Sequence, residues 1–162
     1  MHGKIIQIGS KPIAKEDYAS PDMYYDNSSD FADYIGEEVK EEDRADYIGW
    51  LGNQIKDVFT PVGDGVFAYK GEKALQAFKQ EWADEIKKLT DGLTGENLFR
   101  DSNLYHIRAI TKETHVGSAY RFDIGEWCDG VAYPFGELFE YADCNLKEGD
   151  RIYVGAIIDY HS

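Results

Sequence analysis

The chain is poor in cysteine: Cys128 and Cys144 are the only two among 162 residues. They form no CxxC motif and no set of spaced pairs, so no disulfide framework is indicated. Long apolar runs are also missing, since no stretch approaches the roughly 20 residues that span a bilayer. The N-terminus likewise lacks the apolar segment of a secretion signal. We therefore predict a cytoplasmic protein with reduced thiols and no membrane partner.

Motifs of the common enzyme classes are absent as well. The chain has no GxGxxG, GxxxxGK[ST], HExxH, GxSxG or EF-hand pattern, and these are the patterns that carry nucleotide, metal or acyl-transfer chemistry. The side chains that could bind a metal show none of the usual zinc spacings: His106, His115, Cys128, Cys144 and His161. The expectation is no catalytic residue, no metal and no cofactor.

Basic residues are scarce relative to acids, and the formal net charge is −14. The excess is concentrated in residues 16–48, where twelve acids face only Lys40 and Arg44, a balance of −10. Residues 1–15 carry three lysines and no acid. Phosphates would be repelled by such a surface, which argues against direct binding of nucleic acid or of an anionic membrane. A basic protein surface is a more suitable partner.

The clearest structural signal is an amphipathic helix over residues 72–91. Apolar residues recur there at steps of three and four, which places them on one stripe of a helix: Leu75, Phe78, Trp82, Ile86 and Leu89. Gly71 and Gly92 stand at the two boundaries. We expect this stripe to pack against a sheet and form the centre of the fold.

Other segments favour strands. Residues 4–8 are short and β-branched, which suits a buried strand. Residues 58–62 and 66–69 flank Gly63-Asp64-Gly65, a hairpin signal, and Pro61 demotes the first arm to a sheet edge or to a loop. Residues 151–160 suggest a last strand, with Ile152, Val154, Ala156 and Ile158 on one face.

The segment between residues 101 and 145 is read as two strands followed by a helix. Residues 104–111 and 119–124 predict an antiparallel pair joined by 112–118, with Phe122 inside and Asp123 outside. After Pro134, the apolar spacing favours a helix. Helices and strands do not alternate regularly, so residues 1–162 are expected to form a single α+β domain with a mostly antiparallel sheet.

A pentapeptide recurs in the acidic segment. Ala32-Asp33-Tyr34-Ile35-Gly36 reappears thirteen residues later as Ala45-Asp46-Tyr47-Ile48-Gly49. With Asp30 and Asp43 as N-caps, the spacing predicts two short acidic helices, the first ending at Val39. Two such helices could present paired Asp-Tyr surfaces to a partner. The repeat also suits two amphipathic helices that merely use the same residues.

From these observations, the leading hypothesis is a small non-catalytic binding protein. In its most specific form it is a nucleic-acid mimic that inhibits a basic nuclease or a DNA-handling complex. Tyrosines interleave with the acids, and tyrosine is favoured at interface hot spots. The predicted partner-binding residues are Asp30, Asp33, Tyr34, Glu37, Glu38, Glu41, Glu42, Asp43, Asp46 and Tyr47.

Three alternatives remain open at the level of sequence. The acids could form a solvated face that serves solubility alone. The protein could be a small enzyme or ligand-binding domain with a site in the 123–129 loop, where Asp123, Glu126 and Asp129 surround Trp127. It could also pair with itself as a homodimer through an exposed strand edge.

Overall fold

The computed structural model describes residues 2–27, 32–100, 120–125 and 130–161. These residues form an α+β fold around a mostly antiparallel sheet of seven strands. The strands are β1 (His2–Gly9), β2 (Tyr34–Glu38), β3 (Phe59–Gly63), β4 (Val66–Tyr69), β5 (Tyr120–Ile124), β6 (Tyr133–Pro134) and β7 (Arg151–His161). The helices are α1 (Glu41–Ile55), α2 (Glu72–Thr90) and α3 (Glu137–Asn145), with 3-10 turns at Lys15–Asp17 and Pro21–Asn27. The predicted strand at 104–111 and its connection at 112–118 lie outside the described residues.

The last strand organises the sheet. The order is β3-β4-β7-β1-β5-β6, and β2 also pairs with β7. The N-terminal part of β7 pairs with β4, and its C-terminal part pairs with β2, while β1 runs along its other side. The β1–β5 pair is parallel, in contrast to its antiparallel neighbours. Among the described strands β3 lies at the sheet edge, which is one of the two positions predicted from Pro61.

The two faces of the sheet are covered differently. Ile6 and Ile8 of β1 point to a face covered by the helices, called here the helical face, where Leu51, Leu75 and Leu138 are fully buried. Ile5 alternates to the opposite face, called the loop face. Residues 15–27, which contain both 3-10 turns and are called here the 3-10 segment, cover the loop face with Ala19 and Tyr24. The core is therefore built from helices on one side and from an irregular segment on the other.

An irregularity in β7 changes which of its residues share a face. Ile6 and Ile8 of β1 lie opposite Ile157 and Val154, so β7 has one extra residue between the two pairs. Such a bulge reverses the alternation beyond it. Val154 consequently packs on the helical face, whereas Ala156 packs on the loop face. The prediction that Ile152, Val154, Ala156 and Ile158 share one face is wrong for this reason.

The side chain of Gln7 stabilises this bulge. Its Oε1 accepts hydrogen bonds from the backbone N–H groups of Ala156 and Ala19, both at 3.0 Å. Its Nε2 donates to the carbonyl oxygen of Asp17 at 3.2 Å. One polar side chain thus pairs backbone groups that the bulge and the 3-10 segment would otherwise leave unsatisfied.

The predicted amphipathic helix is present, and its bounds differ from the prediction by one residue at the C-terminal end. Leu75 is fully buried, but Phe78, Trp82 and Ile86 are only half-buried. The Phe78 ring lies 4.9 Å from that of Phe139 in α3. The stripe therefore packs partly against α3 and is only partly covered, contrary to the expectation that the sheet buries it fully.

The first of the two predicted acidic helices is wrong. Residues 34–38 are strand β2, which pairs with β7. The second helix is present as α1, beginning at Glu41 with Lys40 as its N-cap. The same pentapeptide thus forms a strand in one copy and a helix in the other, because tertiary pairing overrides local propensity. This result excludes a partner surface formed by a hairpin of two acidic helices.

Candidate binding surface

Strand β2 brings acidic side chains to the surface because only one of its faces is covered. Ile35 is 1% exposed and packs on the loop face, while Tyr34 is 61% exposed. Glu37 and Glu38 are exposed near the end of the strand. The backbone N–H of Val39 then donates to the carbonyl oxygen of Ile157 at 2.8 Å, which ties the following turn to β7.

Helix α1 starts two residues after that turn, so the acids of its first turn lie beside those of β2. A shallow groove of about 370 Å³ lies between the two elements. Its lining is polar and aromatic: Lys4, Tyr34, Gly36, Glu37, Glu38, Val39, Lys40, Asp43, Tyr47 and Asp159. This surface is called the acidic groove below. The lining contains four carboxylates and two tyrosines but only two lysines.

Lys4 occupies the most buried position in the lining of the acidic groove. The residue is 8% exposed, and its Nζ lies 2.6 Å from Oδ1 of Asp159. The same Nζ lies 4.8 Å from the centre of the Tyr47 ring, a cation–π distance. Burial acts to lower the pKa of Lys4, but the hydrogen bond and the charge of Asp159 outweigh it and raise that pKa. Tyr47 and Asp159 are thus already engaged by a cation of the chain itself.

The structure collects half of the predicted partner-binding residues in this groove and leaves Asp33, Glu41, Glu42 and Asp46 outside its lining. Tyr34, Glu37, Glu38, Asp43 and Tyr47 line it. Asp46 is exposed on α1 but does not belong to the lining. Asp30 lies outside the described residues.

Three predicted residues have charged neighbours of their own. Asp33 precedes β2, and its Oδ1 lies 2.8 Å from Nδ1 of His161. The pKa of Asp33 is lowered, chiefly by that hydrogen bond. Glu41 pairs with Lys15 at 3.3 Å, and Glu42 lies 3.9 Å from Lys40. The charges of Glu41 and Glu42 are therefore balanced in part by lysines of the chain itself.

Sequence reasoning missed Lys4 and Asp159. Both are charged residues inside strands that otherwise bury apolar side chains, at registers where β1 and β7 pair directly. A lone lysine in a β-branched run is a weak signal that a buried partner exists. The identity of that partner depends on strand pairing between the two ends of the chain, which no local pattern contains.

A second groove, of about 380 Å³, lies on the other side of α1. Arg44 lines it; its Nη2 donates to the carbonyl oxygen of Val154 at 3.0 Å. Its guanidinium lies 5.2 Å from the centre of the Tyr18 ring. Nη1 is buried and has no acceptor within the described residues. Arg44 connects α1 to the bulged part of β7, which assigns it a structural role.

The alternative site in the 123–129 loop is only partly covered by the structure. Asp123 is 1% exposed and accepts a hydrogen bond from the Tyr24 hydroxyl at 2.6 Å. The prediction that Asp123 points outward is therefore wrong. This carboxylate fastens the 3-10 segment to the loop face. Glu126, Trp127, Cys128, Asp129 and His115 lie outside the described residues.

No group of three or more His, Cys, Asp or Glu side chains that could hold a metal ion occurs in the part of the chain that the structure describes. Cys144 is a free, exposed thiol on α3. None of the helices within the described ranges has the length and apolarity that crossing a membrane requires.

Comparisons with known proteins provide no assignment. The chain matches no protein-family model, no curated protein and no solved structure.

Proposed function

We propose that this chain is a non-catalytic binding protein whose acidic groove receives basic side chains of a protein partner. The observation that supports the proposal is the meeting of β2 and the first turn of α1, which places carboxylates from two rigid elements around one concavity. Sites on strands and helices hold their geometry better than sites on loops. A partner would meet a preformed charge pattern.

The charge available to a partner comes from particular acids. Glu37, Glu38 and Asp43 line the groove and have no ion pair within the described ranges. An incoming lysine or arginine therefore does not have to displace an internal cation from them. Complementary charge of this kind raises the association rate and selects against acidic partners.

Tyr34 is the aromatic side chain most available for contact. It is 61% exposed, whereas Tyr47 is half-buried and carries Lys4 over its ring. Exposed tyrosine next to charge is a frequent hot spot because it adds contact area at low entropic cost. We assign Tyr34, rather than Tyr47, as the aromatic contact of the partner.

The specific form of the proposal is inhibition of a nuclease or DNA-handling complex by imitation of nucleic acid. Duplex DNA carries one negative charge per about 1.7 Å of its axis. Where acids recur at helical spacing, as in the first two turns of α1, they give roughly one charge per 5 Å along a helix. The pattern is sparser, but it has the sign that a basic nucleic-acid groove attracts. The −10 balance of residues 16–48 supports this form.

The test combines a charge-reversed variant with a matched control. Four acids of the candidate surface are replaced by lysine: Glu37, Glu38, Asp43 and Asp46. The control reverses four exposed acids on or after α2: Glu81, Glu85, Asp91 and Glu96. Both variants change the net charge equally, so they separate a specific surface from general acidity.

The measurement is capture of partners from a cell extract at low salt, followed by elution in a salt gradient. We expect the wild type and the control to retain a basic protein that elutes as salt rises, and the groove variant to lose it. Equal retention by all three proteins, or elution that is indifferent to salt, would contradict the proposal. Competition by duplex DNA then decides between a DNA mimic and another basic partner.

A further inference from the structure

The end of the sheet beside the acidic groove carries a chain of acidic and basic groups in contact. His161 of β7 lies opposite His2 of β1 and opposite Tyr34 of β2. The rings of His2 and His161 meet edge to face, with centroids 5.2 Å apart. Asp33 lies 2.8 Å from His161 on one side. On the other side, Asp159 lies 3.4 Å from His2.

This cluster holds the start of β2. Within the described residues, β2 pairs with β7 alone. The Asp33 backbone N–H donates to the carbonyl oxygen of His161 at 3.0 Å, and the side chains of the same two residues make a second contact. His161 therefore contacts the chain just before β2 through both its backbone and its ring.

Histidine is the side chain whose charge ordinarily changes between about pH 5 and 8. A neutral ring donates a hydrogen bond to the ionised Asp33, whereas a protonated ring adds the attraction between opposite charges to that hydrogen bond. Asp33 remains ionised throughout this range, because its pKa is lowered by the bond to His161. The strength of the contact consequently depends on the protonation of His161.

We propose that His161 and Asp33 form a pH-sensitive clasp that holds β2 more firmly to the sheet when the imidazole is protonated. The other charged or titratable groups around it are His2 and Lys4 on β1, Asp159 on β7, Tyr34 on β2 and the N-terminal amine, whose charge also acts to lower the pKa of Asp33. The clasp depends on contacts within the chain, so it operates whether or not the acidic groove has a partner.

A protonated His2 weakens the clasp. When both rings are protonated, the cluster holds three cations, His2, Lys4 and His161, against the carboxylates of Asp33 and Asp159. Asp159 is already paired with Lys4 at 2.6 Å, so it neutralises His2 only in part. Two imidazolium rings in edge contact repel each other, which reduces the gain from protonating His161.

A double-mutant cycle tests the clasp on the full chain. Asp33→Asn, His161→Asn and the double variant are unfolded in urea at pH 5.5 and pH 8.0. We expect the coupling between the two positions to favour the folded state by about two- to fivefold more at pH 5.5, the range that exposed ion pairs reach. Equal coupling at the two pH values, or no coupling at either, would overturn the proposal.

Two further measurements separate an ion pair from a purely steric contact. His2→Asn should enlarge the coupling at pH 5.5, because it removes the opposing cation. Added salt at 1 M should reduce that coupling, since exposed charges are screened. Coupling that neither His2→Asn nor salt changes would contradict the clasp, and none of these outcomes depends on whether the groove binds a partner.

Discussion

Gln7 and Gly155 show how single residues make the bulge in β7 feasible. The Gln7 carboxamide lies against the backbone of residue 155, so a β-carbon at that position would stand 2.3 Å from Oε1. Real β-carbons essentially never show such a contact, and Gly155 leaves the space that Gln7 requires. Glycine is needed at position 155 because the Gln7 side chain lies so close to the backbone there, and not because the backbone is left-handed.

Replacement of Gly155 by alanine should therefore destabilise the protein. The added methyl group displaces Gln7, and overpacking of this kind costs about 1–3 kcal/mol. Gly49 is the matched control, because it is exposed in α1 and a β-carbon there meets nothing within 4 Å. Gly49→Ala should stabilise by roughly 0.5–1 kcal/mol. Urea unfolding measures both, and a neutral Gly155→Ala would refute the role of the carboxamide.

Among the helices, α2 has a gradient of burial along its length. Leu75 in its first turns is fully buried in the core. Trp82 is half-buried, with its ring 6.3 Å from that of Phe139, and Ile86 beyond it is half-buried too. Lys79 adds exposed pairs to Glu140 and Asp143, both at 2.9 Å. The N-terminal half of α2 is thus held in the buried core, and the rest of the helix packs against α3.

Truncations along α2 should follow this gradient. Leu75→Ala should reduce the free energy of unfolding by about 2–5 kcal/mol, as expected for a buried leucine that leaves a cavity. Ile86→Ala should cost about 1 kcal/mol or less, because water already reaches the side chain. Equilibrium urea unfolding checks both variants. Equal losses would show that the whole stripe is part of the core.

For the whole molecule, the ionisable groups predict loss of stability in alkali. Burial raises the pKa of Tyr69, Tyr120 and Tyr160 above the usual 10.0, and Asp159 raises that of Lys4 above 10.5. Each raised pKa means that the folded state holds its proton longer than the unfolded chain does. The associated stability is complete below about pH 10 and is lost as pH rises through the folded values.

The free energy of unfolding should accordingly change little because of these groups up to pH 9 and fall as pH rises above about 10. Tyr160→Phe removes one buried hydroxyl and should make the fall shallower. Tyr34→Phe, at an exposed ring, is the control. Urea midpoints at half-unit intervals of pH measure the effect, and an identical slope in Tyr160→Phe would contradict the role assigned to its burial.

The acidic groove shows what a residue pattern alone could locate. The concentration of acids in residues 16–48 is visible in the sequence, and half of the predicted contact residues do line one groove. The pattern misplaced them on a helical hairpin, because residues 32–36 have the same sequence as residues 45–49, which do form a helix. Lys4 and Asp159 could not be found, since their pairing depends on the adjacency of β1 and β7.

The sequence by itself determined the features that depend on neighbours along the chain: the α2 helix, the β3–β4 hairpin with its Asp64-Gly65 turn, and the terminal strands. Periodicity and turn chemistry act over a few residues and can be read without the fold. Only the tertiary structure decided that residues 34–38 form a strand, that β7 bulges around Gln7, and that β2 meets α1 at a groove. These features rest on hydrogen bonds and packing between segments far apart in the chain, and such contacts outweigh local propensities of a few tenths of a kcal/mol per residue.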